Sequence, residues 1–278
     1  MSDDDSDADR ASPVERVDEP VTLGQVAADL RALGVEQGDV LLVHSSLSAV
    51  GWVPGGAQGV VEGLRDAVGS DGTLVVPTHS TQLMDPASFS NPPVPESWYE
   101  PIRATKPAYR PDATPTHGMG AIPECLRDYE EAVRSDHPLY SFTALGADAE
   151  AITATHRLEN GLGEASPLGA VYDHGGSVLV LGCDLGRNTS LHLAEHRADW
   201  ARPATEAGAP VVVDGEREWV TFEDIDIDDG DFATCAATFA DAHPDAVSTG
   251  TVGAADATLY DQRALVDFGE AWISDHRE

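Results

Sequence analysis

The sequence predicts an α/β fold: a single domain with a largely parallel central sheet, flanking helices and a small antiparallel hairpin. Continuous apolar runs, typical of strands buried on both faces, occur at Asp39–His44, Thr73–Pro77 and Ser177–Gly182. Helical patterns separate these runs, as in the βαβ units of a parallel sheet. Residues 210–223 alternate between apolar and polar side chains around an Asp-Gly pair, which predicts a hairpin.

The first helix is predicted to begin after Thr22, which forms a capping box with Gln25, and to end at Gly34. A second helix is expected at Gln58–Val68, between the first two strands. Residues 82–117 contain many prolines and little periodicity. We expect this segment to be a long functional loop, such as a lid or a substrate wall.

The second half of the chain shows the same alternation of elements. A turn at residues 186–190, with Asn188 or Thr189 as the N-cap, is predicted to precede a helix over residues 191–198. A short strand is expected before the last helix. The remaining helices are predicted near Ala121–Tyr129, Asp148–Leu158, Phe232–Ala242 and Arg263–Ser274.

Length and composition set the class of protein. A chain of 278 residues, 41% of them hydrophobic, can form one large α/β domain and is too apolar to be disordered. No apolar run approaches the ~20 residues that cross a bilayer. The acidic start is unlike a signal peptide. We expect a disordered acidic tail over residues 1–20, a domain over residues 21–278, and a cytoplasmic protein without membrane contact.

The charge is extreme, with 16 Lys and Arg against 49 Asp and Glu and a net charge of −33. Repulsion among so many carboxylates is tolerable when salt screens it, and the Debye length in 1 M salt is about 3 Å. This composition predicts the cytoplasm of a salt-accumulating halophile. It argues against nucleic-acid binding, which needs clustered Lys and Arg.

Polar residues follow the first two predicted strands. His44, Ser45 and Ser46 come directly after the first strand, and Thr78 comes after the second. Ligands of α/β proteins bind at the carboxyl ends of strands. A glycine-rich loop and a helix start follow the first strand and could receive an anion, although the pattern also fits an ordinary βα turn. The loop glycines are Gly51, Gly55 and Gly56.

Two further segments carry chemistry. Arg134 and His137 lie in a polar loop that could hold a phosphate or orient an acyl group, or could be structural. On a helix, His192, Glu195 and His196 would share one face through their spacing. A histidine that titrates near neutral pH is a natural general base, and a carboxylate can orient it. The spacing does not match HExxH, so it does not indicate a zinc protease.

Several of these motifs, in this order, resemble the antibiotic N-acetyltransferase family, whose best-known members are the aminoglycoside 3-N-acetyltransferases. The motifs are VLLVHSSLSAVGWVPGGAQG, TLVVPTHS, GAIPE, RSDHPLYSFTALG, GEASPLGAVY and NTSLHLAEHRA. The resemblance covers nearly the whole ordered chain. It implies a single-domain α/β fold distinct from the GNAT acetyltransferases.

The resemblance also implies an activity: acetyl transfer from acetyl-CoA to the 3-amino group of a 2-deoxystreptamine antibiotic. His192 corresponds to the catalytic histidine of the family and Glu195 to its acidic partner. Acetyl-CoA would contact residues around the cofactor channel: His44, Ser45, Ser46, Gly51, Gly55, Gly56, Thr78, Ser135, His137 and Ser141. Glu164, Asp184 and Asn188 are candidates for gripping a cationic acceptor.

Other hypotheses stay open at this point. The fold could acetylate another small amine or sugar amine, or it could be a non-catalytic binder. A hydrolase with Ser45 or Ser190 as nucleophile is a less favoured alternative, because no GxSxG motif is present. A metal enzyme built on His192 and His196 is another, although we expect no metal. The oligomeric state is open and allows a homodimer.

Overall fold

A seven-stranded mixed sheet forms the centre of the computed structural model, which describes residues 12–90 and 92–277. A separate two-stranded hairpin, β6–β7, lies beside it. The strands of the described chain are β1 (Val40–Ser45), β2 (Thr73–Pro77), β3 (Val133–Arg134), β4 (Phe142–Gly146), β5 (Ser177–Leu181), β6 (Ala204–Val213), β7 (Glu216–Ile225), β8 (Val247–Val252) and β9 (Ala255–Asp261).

The strand order of the sheet is β3-β4-β2-β1-β5-β9-β8. Strand β1 pairs in parallel with β2 and β5, whereas the outer strands all pair antiparallel. The α/β class, the helices and the hairpin are thus confirmed, but the parallel arrangement is limited to the three central strands. Apolar runs indicate burial and carry no information on strand direction.

Helices cover both faces of the sheet. Along β1, Leu41 and Val43 face one core and Val40 and Leu42 face the other, as the alternation of side chains in a strand requires. The helices are α1 (Leu23–Leu33), α2 (Leu47–Val50), α3 (Ala57–Val68), α4 (Tyr99–Thr105), α5 (Ala121–Leu126), α6 (Ala149–Thr153), α7 (Pro167–Asp173), α8 (Ser190–Arg197), α9 (Phe232–Ala242) and α10 (Gln262–His276).

Local signals in the sequence match several elements closely. The Thr22 hydroxyl accepts a hydrogen bond from the Gln25 backbone N–H, and Gly34 ends α1 in the left-handed region with φ 119°. The hairpin turns at Asp214 and Gly215, which both have positive φ. These details confirm the predicted helix start at Thr22, the helix end and the hairpin turn. The capping box is only half formed among the described residues, because the Gln25 side chain donates to Asp29 at 2.5 Å.

Other elements differ from the prediction. Residues 82–117 contain α4 as well as irregular structure. The predicted helix at Asp148–Leu158 is only α6, because the Arg157 N–H turns away to bond the Ala165 carbonyl. Helix α7 is not among the predicted elements, although Ser166 caps it and Pro167 is its first residue, a recognised start signal. The single short strand before α10 is the β8–β9 pair.

Part of the predicted acidic tail, residues 1–11, lies outside the described residues. Val17, in the described part, packs against the core. The boundary at residue 21 stays a prediction. None of the helices in the described chain is long and apolar enough to cross a membrane.

Candidate active site

The parallel strands β1, β2 and β5 bring their carboxyl ends to one edge of the sheet, and a cavity of about 380 Å³ opens there. His44 and Ser45 line it from β1, His79 from the segment after β2, and His192 from α8. The tertiary structure therefore brings the polar residues that follow β1 and the histidine–glutamate motif of α8 together in one crevice.

His192 and Glu195 form a hydrogen-bonded pair on α8. Nδ1 of His192 lies 2.8 Å from Oε2 of Glu195. The His192 residue is 8% exposed, and its ring packs edge-on against Phe232, with 4.7 Å between ring centroids. Because an ionised carboxylate only accepts hydrogen bonds, Nδ1 carries the proton of the neutral ring. Nε2 is then the basic nitrogen available to the cavity.

Glu195 is fully buried, and fixed donors surround its carboxylate. Oε2 faces His192, while Oε1 accepts hydrogen bonds from the Asp228 backbone N–H at 2.9 Å and from Nη1 of Arg277 at 2.5 Å. A buried carboxylate is tolerated when hydrogen bonds and a cation compensate its lost hydration. Glu195 can therefore hold the His192 ring in one orientation and one tautomer.

The start of α8 is anchored to the sheet. Nε2 of His44 accepts the Thr189 backbone N–H at 3.4 Å, and Oδ1 of Asn188 accepts the Ser190 N–H at 3.1 Å. Thr189 occupies the N-cap position without a side-chain capping bond, so Asn188 supplies the capping contact. Nε2 of Gln262 donates to the Ser190 hydroxyl at 3.0 Å. These bonds fix the helix that carries the His192–Glu195 pair.

The two other histidines of the cavity are neutral. Burial, with a smaller contribution from His192, lowers the pKa of His44 to about 3. Burial likewise lowers the pKa of His79 well below its usual value, with added repulsion from neighbouring histidines. His79 packs edge-on against Tyr140 and Phe142. Neither ring brings a positive charge that would repel a cationic amine.

Comparison with known proteins identifies the family. A family model described as aminoglycoside 3-N-acetyltransferase matches residues 42–274. The chain belongs to the aminoglycoside 3-N-acetyltransferase family. The predictions of this family and of an acyltransferase are thereby confirmed.

Two curated members of the family are similar to this chain over almost all of both lengths. The SPbeta prophage-derived aminoglycoside N(3')-acetyltransferase-like protein YokD of Bacillus subtilis (strain 168) is 43% identical over 261 residues, covering 94% of this chain and 95% of that protein. Aminoglycoside N(3)-acetyltransferase VII of Streptomyces paromomycinus is 41% identical over 285 residues, covering 96% of each.

Solved structures of the family agree. The crystal structure of YokD has a TM-score of 0.92 at 42% identity and covers 95% of this chain and 97% of that one. The structure titled AAC-IIIb binary with CoASH has a TM-score of 0.82 at 33% identity and covers 93% and 98%. The predicted family fold is confirmed.

The residues that the family resemblance assigns to acetyl-CoA lie in three places: the cavity lining, the loop region after β1, and a buried network beside the cavity. Ser45 lines the cavity, and its buried Oγ has no hydrogen-bond partner among the described residues. Ser46 caps α2, and Gly51, Gly55 and Gly56 form the positive-φ loop before α3, outside the cavity lining. A contact of this loop with acetyl-CoA stays a prediction.

Four other predicted acetyl-CoA residues form a buried network beside the cavity. The Ser141 hydroxyl donates to the Thr78 carbonyl at 2.8 Å, and the Ser135 hydroxyl accepts the Phe142 N–H at 2.9 Å. Nδ1 of His137 accepts two backbone N–H groups. The structure does not place these four in the cavity lining, so their part in acetyl-CoA binding stays a prediction.

The predicted acceptor residues are likewise outside the lining. Glu164 pairs with Arg197 at 2.5 Å on the surface, and Asp184 accepts the Gly186 N–H at 2.8 Å. Asn188 is fully buried under α8. Their role in gripping an acceptor stays a prediction.

Sequence reasoning did not single out three residues that line the cavity: Arg187, Asp229 and Tyr140. Asp229 lies in the acidic segment EDIDIDDGD, where nothing in the pattern distinguishes one carboxylate from the next. Arg187 lies within the predicted turn at residues 186–190 but has no motif of its own. The tertiary fold brings these side chains to the cavity, and no signal in the sequence indicates that it does.

The geometry does not support the metal and hydrolase hypotheses. Nε2 of His196 lies 3.8 Å from Oδ1 of Asp224, and residues 12–90 and 92–277 contain no group of three or more His, Cys, Asp or Glu arranged to hold a metal ion. Within the same residues, neither Ser45 nor Ser190 has a hydrogen bond to a histidine. Neither candidate serine is therefore paired with a histidine base. Oγ of Ser135 lies 2.8 Å from Nδ1 of His156, but neither residue lines the cavity.

Proposed function

We propose that this chain transfers an acetyl group from acetyl-CoA directly to an amino group of an aminoglycoside, with His192 as the general base. The observation that carries the proposal is the His192–Glu195 hydrogen bond at the wall of the cavity. The names of the similar family members support the two substrates.

The cavity suits both substrates chemically. The partnerless Ser45 hydroxyl can donate a hydrogen bond to a carbonyl oxygen. Arg187 is exposed at the cavity and makes no ion pair within the described residues, so it is free to meet a phosphate. Asp229 is the carboxylate that lines the cavity in the described chain, and it can attract an ammonium group.

The acceptor nitrogen needs a free lone pair to attack a carbonyl carbon, so the bound ammonium group must first lose a proton. Nε2 of His192 removes a proton from the bound ammonium, and Glu195 stabilises the resulting imidazolium. The freed amine nitrogen forms a bond to the acetyl carbonyl carbon while Ser45 stabilises the developing oxyanion. Acetyl-CoA supplies that carbonyl and the thiolate that leaves when the C–S bond breaks. The imidazolium returns its proton to the thiolate, and the attacking nitrogen loses its second proton to solvent, which leaves a neutral amide.

The test is CoA release from acetyl-CoA in concentrated KCl with a panel of aminoglycosides and simple amines. We expect His192→Ala to lower kcat by about 100-fold or more, the range of general-base catalysis, with little change in acetyl-CoA affinity. Glu195→Gln should lower kcat by a similar factor, because its amide favours the wrong tautomer. His174→Ala, which removes an exposed ring at the end of α7, is the control.

Three results would contradict the proposal. Near-wild-type turnover by His192→Ala would place the base elsewhere. A burst of CoA without an acceptor would indicate an acyl-enzyme instead of direct transfer. Turnover with simple amines but none with any aminoglycoside would keep the mechanism and remove the proposed acceptor.

A further inference from the structure

Arg277, the residue that follows α10, reaches into the site from outside the motifs already described. Its Nη1 lies 2.5 Å from Oε1 of Glu195, the carboxylate oxygen that does not face His192. The Arg277 side chain is 9% exposed and the Glu195 side chain is fully buried. The family match ends at residue 274, so Arg277 lies beyond it.

The rest of the guanidinium is held as firmly. Nε and Nη2 bind the two carboxylate oxygens of Asp231 at 2.8 and 2.5 Å, and Nη2 also donates to the Asp228 carbonyl at 2.6 Å. The guanidinium lies over the rings of Trp200 and Phe232, at 5.1 and 5.7 Å from their centroids. Arg277 therefore ties α8, the segment before α9 and the end of α10 together at Glu195.

This placement has an electrostatic consequence. Glu195 is fully buried, and within the described residues Arg277 is the permanent cation that pairs with it. An arginine remains charged at any physiological pH. Its charge favours the ionised carboxylate, which in turn favours the Nδ1-protonated tautomer of His192.

We propose that Arg277 is a positioning residue for the reaction: it holds Glu195 ionised and oriented so that His192 presents a basic Nε2 to the acceptor. The inference rests on the proposed function, because it assumes that His192 is the base. Arg277 is not part of the cavity lining, and it acts only through Glu195.

The proposal predicts a direction of change in the pH profile. His192 and Glu195 share a hydrogen bond, and removing a cation beside such a pair raises its affinity for a proton. Every variant keeps the other titratable groups that face this region, except Asp231→Asn, which changes one of them. They are His44, His79, His196, Asp224, Asp228, Asp229, Asp231 and Cys235.

The experiment measures kcat and kcat/KM against pH in concentrated KCl, with acetyl-CoA affinity measured separately. In Arg277→Gln we expect the acidic limb of kcat/KM to move up by about one pH unit or more, as for a carboxylate that loses an arginine partner. On the plateau above this limb kcat should fall about 10- to 100-fold, the loss typical of removed hydrogen bonds that support a catalytic group. Acetyl-CoA affinity should not change.

Matched variants separate positioning from folding. Arg277→Lys keeps the positive charge but loses the planar guanidinium. The acidic limb of its kcat/KM profile should therefore stay near the wild-type pH, while kcat falls. Asp231→Asn removes a carboxylate beside Arg277, so its limb should move to lower pH. Arg263→Gln removes an exposed arginine of α10 that binds the Tyr172 carbonyl, and it should change neither quantity.

An Arg277→Gln enzyme with an unmoved limb and wild-type kcat would overturn the positioning role while leaving the proposed function intact, provided that His192→Ala is inactive. If Arg277→Gln did not fold, an acidic limb of Asp231→Asn that stayed in place or moved to higher pH, together with a wild-type kcat in Arg277→Lys, would overturn it equally. Full activity of His192→Ala would show that the proposed function is wrong, and the role of Arg277 with it.

Discussion

Burial has removed the positive charge from a set of histidine side chains near the cavity and beneath the hairpin. The clearest case is His137, whose pKa burial lowers to about 4 and whose Nδ1 accepts the backbone N–H groups of Leu139 and Tyr140. A proton on Nδ1 would point at these two N–H groups, and Nδ1 could no longer accept their hydrogen bonds. The other members of the set are His44, His79, His156 and His196.

We therefore predict that acid destabilises the fold through His137. Above pH 6.5 the ring is neutral in both states; below it the unfolded chain takes up a proton that the folded chain refuses until about pH 4. Between pH 7 and pH 5 this one group should lower the free energy of unfolding by about 2 kcal/mol. Urea unfolding in concentrated KCl at several pH values measures the loss.

The control is His137→Asn, whose side-chain oxygen can accept the same backbone N–H groups without titrating. Between pH 7 and pH 5, the free energy of unfolding of His137→Asn should fall by about 2 kcal/mol less than that of the wild-type protein. Equal pH dependence of the two proteins would show that His137 does not carry this effect.

At the scale of elements, the packing of α1 against α3 depends on a glycine. A Cβ at Gly63 in α3 would lie 2.7 Å from Cβ and Cγ1 of Val26 and 3.0 Å from the Leu23 carbonyl oxygen. Gly63 is buried at this crossing. A glycine here lets two helix backbones approach, and both helices cover the same face of the sheet.

We predict that Gly63→Ala destabilises the protein by about 1–3 kcal/mol, because overpacking outweighs the higher helix propensity of alanine. Gly24→Ala is the matched control on α1: a Cβ at Gly24 would meet no atom within 4 Å, so this change should stabilise by up to about 1 kcal/mol. Thermal unfolding distinguishes the two signs, and a stabilising Gly63→Ala would show that the helices can separate at no cost.

At the scale of the whole molecule, charge dominates. The protein has a net charge of −33, and the phosphate groups of acetyl-CoA are negative as well. Arg187 is the permanent cation among the described residues of the cavity lining. The field of the protein should thus oppose the approach of the co-substrate at low salt.

We predict that the affinity for acetyl-CoA rises as the KCl concentration rises, because screening shortens the reach of this repulsion. Isothermal titration at increasing KCl, with the fold checked by circular dichroism, measures the trend. An acetyl thioester of pantetheine without phosphates is the control and should show a flatter dependence. A constant or falling affinity for acetyl-CoA in a folded protein would contradict the prediction. The halophilic, cytoplasmic setting itself stays a prediction.

The sequence by itself determined the features that depend on near neighbours in the chain. Local chemistry accounts for the Thr22 N-cap of α1, the glycine that ends this helix, the apolar runs of β1, β2 and β5, and the hairpin turn. The His192–Glu195 pair belongs with them, since a spacing of three residues on one helix places both side chains on the same face.

Only the tertiary structure decided which distant residues share the site. No sequence signal predicts strand β4. The bonds of Ser141 to Thr78 and of Ser135 to Phe142 depend on the antiparallel pairing of β4 with β2 and β3. Asp229 and Arg277 come from segments without a motif and meet α8 through packing. Long-range contacts of this kind depend on how whole faces fit together, which no local pattern records.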